Sequence, residues 1–294
     1  MVFINTEGKF NENTYLFDGR AMNIPKFLSV YVIENNGIRL MIDTPQEQYC
    51  RKFIRKLQEL NLYPIHKIIL THSHFDHISG TLKLKKLNKE EEIKIFASEN
   101  AIDNLKNPDK INEVFSVNIT PIENVNPLKE GDIIDVNGLS LEIMNLFGHT
   151  MDSIGVFDKS NKNLFVGDAL IDRIDRETFM LPFMPPEFNE LELLLTFKKV
   201  REIKPLLNSI SLGHFGVWKD NDMIDLMNEM EELYQKAKTL IIKWYNEDPS
   251  PENITLKYHD TFIPNSKSHP KENIKIIEFL IDAGLKAFKN SGFI

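Results

Sequence analysis

The segment Thr71-His72-Ser73-His74-Phe75-Asp76-His77 concentrates three imidazoles and a carboxylate in one short stretch. Neutral imidazole and carboxylate are the donors that suit Zn²⁺ and its first-row neighbours, and clustered histidines on a loop have no packing rationale. In an extended chain His72 and His74 point the same way, whereas the chain must turn before Asp76 and His77 can converge on anything. Two ligand pairs imply two adjacent ions. Four donors cannot saturate two ions, so further ligands should follow, each at the end of another strand. Gly148-His149-Thr150 follows the apolar stretch Leu139 to Phe147, Gly167-Asp168 follows Asn163-Leu164-Phe165-Val166, and Gly213-His214 follows Leu207 to Leu212. The glycines let backbone approach closely at these points. His66, His259 and His269 lack such a setting and read as structural histidines.

The elements that must position these residues are legible from periodicity. Lys67-Ile68-Ile69-Leu70 reads as a buried strand feeding the first histidine loop. Further strands are expected at 12–18, 29–34, 37–43, 93–97, 132–136, 139–146, 153–158, 163–167 and 207–212, with Glu34-Asn35-Asn36-Gly37 as a hairpin turn. Helical spacing appears over Gln46 to Leu60 and about 189–203. Mixed strands with helices outside them fit an α/β protein built as a four-layer αβ/βα sandwich, with the ligands gathered along one edge. Beyond Gly216 the texture becomes helical, over Asn221 to Tyr245, Pro251 to Tyr258 and Lys271 to Asn290, with Ser250-Pro251-Glu252 as a helix start. We therefore expect a catalytic domain at 1–220 and a C-terminal helical extension at 221–294.

In order and spacing, Thr-His-Ser-His-Phe-Asp-His, Gly-His-Thr, Phe-Val-Gly-Asp and Gly-His resemble the metallo-β-lactamase superfamily over about residues 28 to 220. The resemblance implies that His72, His74 and His149 bind one metal, that Asp76, His77 and His214 bind a second, and that Asp168 bridges both. It also implies that Asp43 supports a ligand histidine from behind, fixing its tautomer. Two departures stand out: Pro45 follows Asp43-Thr44 where the family usually has glycine, and Phe147 replaces the proline that often precedes Gly-His. Neither removes a ligand. His74 separates the chain from flavodiiron members, which carry glutamate there, and Asp168 separates it from true β-lactamases, which lack the bridging aspartate.

The implied cofactors are two divalent ions, zinc by preference with iron or manganese as alternatives. Such ions lower the pKa of water toward neutrality, which makes hydrolysis the expected chemistry, with Asp76 orienting the nucleophile and passing its proton to the leaving group. The expected substrate is a small, partly apolar thioester, ester or lactone. Lactone opening is disfavoured, because Ile171 stands where lactonases carry a tyrosine. Phe17, Met22, Phe27 and Tyr31, with Phe179, Met180, Leu181, Phe183 and Met184, could line an apolar mouth or form a floor under the C-terminal helices. Arg173 and Arg176 could bind a substrate anion, with salt bridges to Asp172 and Glu177 as the plainer reading. A phosphodiesterase or ribonuclease of the same fold, a mononuclear iron dioxygenase acting on persulfides and a non-catalytic binding protein are the alternatives.

Composition bounds the rest. The chain has 294 residues, is 42% hydrophobic and contains 20 Phe, enough for a substantial core. A net charge of −8 and the lack of an insertion between His149 and His214 disfavour nucleic acid as partner. The lysine runs Lys83-Leu84-Lys85-Lys86 and Lys198-Lys199 read as solvated helix faces. No basic start followed by an apolar run and no stretch of about 20 apolar residues is seen, so a cytoplasmic protein without a membrane partner is expected. The lone Cys50 reads as an inert thiol. The C-terminal helices could shape the pocket, add stability or form a homodimer.

Overall fold

The computed structural model describes residues 2–173 and 177–294. Its first seven-stranded sheet contains β2 (Gly8–Lys9), β3 (Thr14–Asp18), β4 (Ser29–Asn35), β5 (Ile38–Ile42), β6 (Lys67–Leu70), β7 (Lys94–Ser98) and β8 (Val125–Leu128), in that spatial order. The second runs β1 (Val2–Ile4), β16 (Gly216–Lys219), β15 (Ser209–Leu212), β12 (Asn163–Gly167), β11 (Ile154–Asp158), β10 (Leu139–Asn145) and β9 (Ile133–Val136). A two-stranded ribbon, β13 (Asp172–Arg173) with β14 (Phe179–Met180), leaves the second sheet.

The period of two along each strand assigns its side chains to different layers. On β4, Tyr31 and Ile33 face the other sheet while Val30 and Val32 face helices; on β12, Phe165 faces the other sheet while Leu164 and Val166 face helices. The inter-sheet layer joins Leu16, Leu40 and Ile69 to Leu141, Val156 and Val217. Outside the first sheet lie α1 (Cys50–Glu59), α2 (Phe75–Ile78), α3 (Thr81–Leu87), α4 (Ile102–Lys106) and α5 (Asp109–Phe115). Phe53 and Leu57 of α1 and Leu84 of α3 bury themselves there against Met41 and Ile68. Outside the second lie α6 (Glu190–Ile203), α7 (Asp220–Glu247), α8 (Pro251–Phe262) and α9 (Lys275–Asn290). This is the expected αβ/βα sandwich.

The C-terminal helices form through ordinary amphipathic logic. On α7, Met223, Leu226, Met227, Met230, Tyr234, Ala237, Ile241 and Trp244 recur at three- and four-residue spacing and are all buried. Ser250 caps α8, accepting a hydrogen bond from Asn253 N–H at 3.4 Å, and Pro251 occupies the first turn. Buried residues of α7, α8 and α9 share one cluster with Val166, Leu212 and Trp218 of the second sheet. No described helix is long and apolar enough to cross a membrane.

Local details follow the sequence in some places and extend it in others. Asn36 and Gly37 both take positive φ, 47° and 84°, as a two-residue hairpin with the strands' twist requires. The edge strand β1 and its neighbour β16 fall where residue patterning gave no strand. They are short, and their Phe3–Trp218 stacking at 4.3 Å is a tertiary contact. Cys50 is buried, and loss of hydration pushes its thiol up to about 12. Lys199 pairs with Glu130 and Lys198 with Glu202 on the solvated face expected for them.

Candidate metal centre

Five strands deliver the predicted residues to one edge. β5 and β6 are parallel, β12 and β15 are parallel, and β10 shares their direction because β11 lies antiparallel to both β10 and β12. Their carboxyl ends carry Asp43, the loop 71–77, Asp168, His214 and His149 respectively. Crevices at the carboxyl ends of strands are where exposed polar loops can converge on a ligand.

Two glycines allow the close approach. A Cβ on Gly213 would sit 2.1 Å from Asp168 Oδ1, and one on Gly148 would sit 2.3 Å from the backbone of Leu193 in α6. Any side chain at Gly213 would therefore displace the aspartate. At Gly148, φ of +129° adds a backbone conformation that other residues rarely adopt.

All seven predicted site residues meet. His72, His74 and His149 form one group whose ligand atoms lie within 4.8 Å of one another; Asp76, His77 and His214 form another; His72, His77 and Asp168 form a third that overlaps both. Asp168 Oδ2 is 3.1 Å from His214 Nε2, 3.3 Å from His77 Nε2, 3.6 Å from His149 Nε2 and 3.8 Å from His72 Nε2. Asp76 Oδ2 is 3.7 Å from His77 Nε2 and 3.8 Å from His214 Nε2.

The hydrogen bonds behind the rings decide which nitrogen faces inward. His149 Nδ1–H donates to Pro182 O at 2.7 Å, His214 Nδ1–H to Phe27 O at 2.5 Å and His74 Nε2–H to Pro185 O at 3.2 Å. His77 Nδ1–H donates to Asp43 Oδ2 at 2.8 Å. Thr71 Oγ1 spends its own hydrogen on Asp43 Oδ2 at 2.8 Å, so it accepts from His72 Nδ1–H at 3.1 Å. Each ring thus turns a bare nitrogen toward the same space: Nε2 of His72, His77, His149 and His214, and Nδ1 of His74. The contacts there, such as His149 Nε2 to His74 Nδ1 at 3.0 Å, bring acceptor against acceptor.

This donor set fits divalent cations. Within the described residues, His72 Nε2, His77 Nε2 and Asp168 Oδ1 are buried with no hydrogen-bond partner, a costly condition that a bound cation removes. Charge distribution agrees. Burial is the largest influence on His72, His74 and His149 and holds them neutral: His74 and His149 are lowered to about 4, and His72 lies well below the ordinary histidine value. At His77 burial also opposes charge, but Asp168, Asp76 and Asp43 outweigh it and raise the ring well above 6.5, so that without a cation these carboxylates draw a proton onto Nε2, and a bound cation would take that proton's place. Burial at Asp168 is outweighed in turn by His214 and His77, which hold its carboxyl well below the usual carboxylate range.

Asp43 occupies the supporting position expected for it. It takes φ of 58°, left-handed and uncommon for a non-glycine residue, and accepts from Thr71 N–H at 2.8 Å as well as from Thr71 Oγ1 and His77.

Above the candidate metal ligands lies a cavity of about 500 Å³, counting its open mouth. Met22, Phe27, Met180, Leu181 and Met184 line it as expected. Phe17, Tyr31, Phe179 and Phe183 do not: they lie in the packed clusters instead, and Tyr31 O–H donates across the sandwich to Leu212 O at 2.7 Å. Phe75, Phe115, Phe279 and Leu280 complete the wall. No local signal marked Phe115, Phe279 or Leu280, since each looks like one more apolar residue of a helix. Arg173 pairs with Glu229 of α7 and lines a different cleft with Trp218 and Asp225; Arg176 lies outside the described residues. His66 accepts from Arg39 N–H at 3.1 Å and His259 Nε2 faces His269 O at 3.2 Å, away from the metal ligands.

Residues 24–214 match the Metallo-beta-lactamase superfamily, and the chain belongs to that family. A hydroxyacylglutathione hydrolase of Francisella philomiragia is 26% identical over 140 residues, covering 48% of this chain and 46% of the relative. An acyl-coenzyme A thioesterase of Gallus gallus is 25% identical over 195 residues, covering 60% of this chain and 62% of the relative. The chain spans about half the length of the curated relatives it matches. In fold it resembles a metallo-beta-lactamase family protein from Thermus thermophilus, with a TM-score of 0.65 at 17% identity, over 95% of this chain and 94% of that one. That likeness extends into the C-terminal helices.

Proposed function

We propose that this chain is a metal-dependent hydrolase that cleaves an ester-like bond, a thioester by preference, in a small and partly apolar substrate. The observation that carries the reading is the convergence of five inward-facing imidazole nitrogens and two carboxylates at the floor of a cavity whose walls are apolar. In this reading His72, His74 and His149 would hold one divalent ion, Asp76, His77 and His214 would hold a second, and Asp168 would serve both, with zinc preferred for its affinity for imidazole-rich sites. Bound divalent ions supply Lewis acidity and lower the pKa of water toward neutrality. Residues 1–220 would form the catalytic domain, and the 221–294 extension would cover it, since Phe279 and Leu280 of α9 reach the cavity.

The chain's own groups divide the remaining work. Asp76 borders the cavity and is the less buried of the two site carboxylates, so it is placed to accept a proton from the attacking water and return it to the leaving group. Asp168, in contact with four rings, holds fixed negative charge and orients them. The backbone carbonyls of Phe27, Pro182 and Pro185 and the Asp43 carboxylate keep the rings in the required tautomers. Phe27, Phe115 and Met180 present hydrocarbon to the acyl part of the substrate and exclude water. The names of the hydroxyacylglutathione hydrolase and the acyl-coenzyme A thioesterase, both thioester hydrolases by description, support the thioester preference.

The test is metal content per chain on protein purified without added metal, together with turnover of thioester, lactone, β-lactam and phosphodiester substrates. Two zinc ions with selective thioester turnover is the expected result. A single iron with oxygen uptake and no hydrolysis would replace this reading with a dioxygenase.

A further inference from the structure

A second cavity, about 270 Å³ counting the open solvent at its mouth, adjoins the one above the candidate metal ligands. The two share Met180, Leu181 and Leu280 as a common wall. Beyond that wall the second cavity is lined by Phe183, Tyr258, Ile277 and Ile281, so β14 with its following residues, α8 and α9 together build it. Its lining offers one polar side-chain atom, the Tyr258 hydroxyl, which already donates to Phe179 O at 3.2 Å. Nothing else there can recognise a sugar, a peptide or a charged group. The partition is adaptable: a methionine and two leucines, with Leu181 and Leu280 only partly buried, can change rotamer without breaking any hydrogen bond.

We propose that the second cavity is an acyl-chain compartment, so that the preferred substrates are thioesters of medium-length, unbranched hydrocarbon acyl groups. This rests on the thioester reading above and specifies its acyl half. The carbonyl lies over the ligand residues, the chain runs along Phe115 and Met180, and its distal carbons displace the Met180, Leu181 and Leu280 side chains to enter the space under α8 and α9. Each methylene transferred from water to such a lining raises binding up to about three- to fourfold, and the gain stops where the chain meets Phe183 and Tyr258.

The experiment is kcat/KM of the metal-loaded enzyme along an acyl-thioester series from acetyl to decanoyl, together with calorimetric titration of the metal-free protein by butanoate and decanoate. The expected result is a steep rise in kcat/KM from butanoyl onward and binding of decanoate but not of butanoate. Ile281→Phe narrows the far compartment; it should cut decanoyl turnover at least tenfold and leave acetyl turnover within twofold, which also shows that the variant is folded. Leu280→Ala removes part of the partition and should raise the longest-chain activity relative to the shortest. A flat or falling profile from butanoyl to decanoyl, or loss of acetyl and decanoyl turnover in equal proportion in both variants, would overturn the compartment while leaving thioester hydrolysis intact. Decanoate binding that Ile281→Phe abolishes, without hydrolysis of any thioester, would support the compartment and reject the hydrolase reading.

Discussion

The two sheets supply the candidate metal centre in opposite ways. The first contributes four candidate ligands from one loop, His72, His74, Asp76 and His77, and braces two of them through a single carboxylate: Asp43 holds His77 directly and His72 through Thr71, while His74 leans on Pro185 O. The second contributes one residue from each of three strand ends, His149, Asp168 and His214, braced by backbone carbonyls from other segments and by glycines that let them crowd together. Two of the three rings in the concentrated half depend on one side chain; the dispersed half depends on backbone placement. Damage to the first should therefore act through charge and hydrogen bonding, and damage to the second through geometry.

The largest effect should fall on the residue common to both halves. Asp168→Asn is expected to lower activity on the order of a thousandfold, equivalent to about 4 kcal/mol of lost transition-state stabilisation, and to bring bound metal below two per chain. Two ions retained with full activity would remove Asp168 from the bridging role. Next, Gly213→Ala tests the dispersed half by geometry alone: its Cβ would meet Asp168 Oδ1 at 2.1 Å. A displacement of that kind should cost about a hundredfold in kcat/KM, with secondary structure by circular dichroism unchanged. Wild-type activity in this variant would show that Asp168 can move freely.

Asp43→Asn tests the concentrated half. It leaves all seven ligands in place but alters the acceptor shared by His77 and Thr71, and metal affinity should fall roughly 10- to 100-fold. The loss should be read by competition with a chelator, and it should reach both ions, because Asp43 braces one ring of each group, His72 through Thr71 and His77 directly. Unchanged metal affinity would show that the Asp43 carboxylate does not brace the loop, and would erase the contrast between the halves. The smallest effect is on pH dependence. Because burial lowers His74 and His149 to about 4, both remain neutral, and able to bind metal, as pH falls through 6.5. They take protons only as pH nears 4, so, while His77 with its raised value protonates first and lets the ion it holds leave early, the ion held by His72, His74 and His149 should stay bound through 6.5 in equilibrium dialysis and be lost only late. Release of that ion centred on 6.5 would mean that these rings titrate as exposed histidines.

The same contrast explains what could be read without coordinates. The loop 71–77 declares itself because its donors are contiguous and follow an apolar strand. His149, Asp168 and His214 are readable because a glycine precedes each, marking close backbone approach. The mouth was harder. Met22, Phe27, Met180, Leu181 and Met184 line it, yet Phe17, Tyr31, Phe179 and Phe183 are equally apolar and are packed elsewhere. Hydrophobicity says that a side chain leaves water, not which cavity or core receives it.

Residue types and their order along the chain determined the fold class, the candidate ligand residues and the chemistry such donors suit, because strand alternation and donor identity are local properties. Three things waited for the tertiary structure: the carbonyls of Phe27, Pro182 and Pro185 that set the tautomers, the pairing of Arg173 with Glu229, and the reach of α9 into the cavity. Each is a contact between segments distant in sequence. Every backbone carbonyl and every apolar helical residue offers the same local chemistry, so only the packed chain selects which of them meets the site.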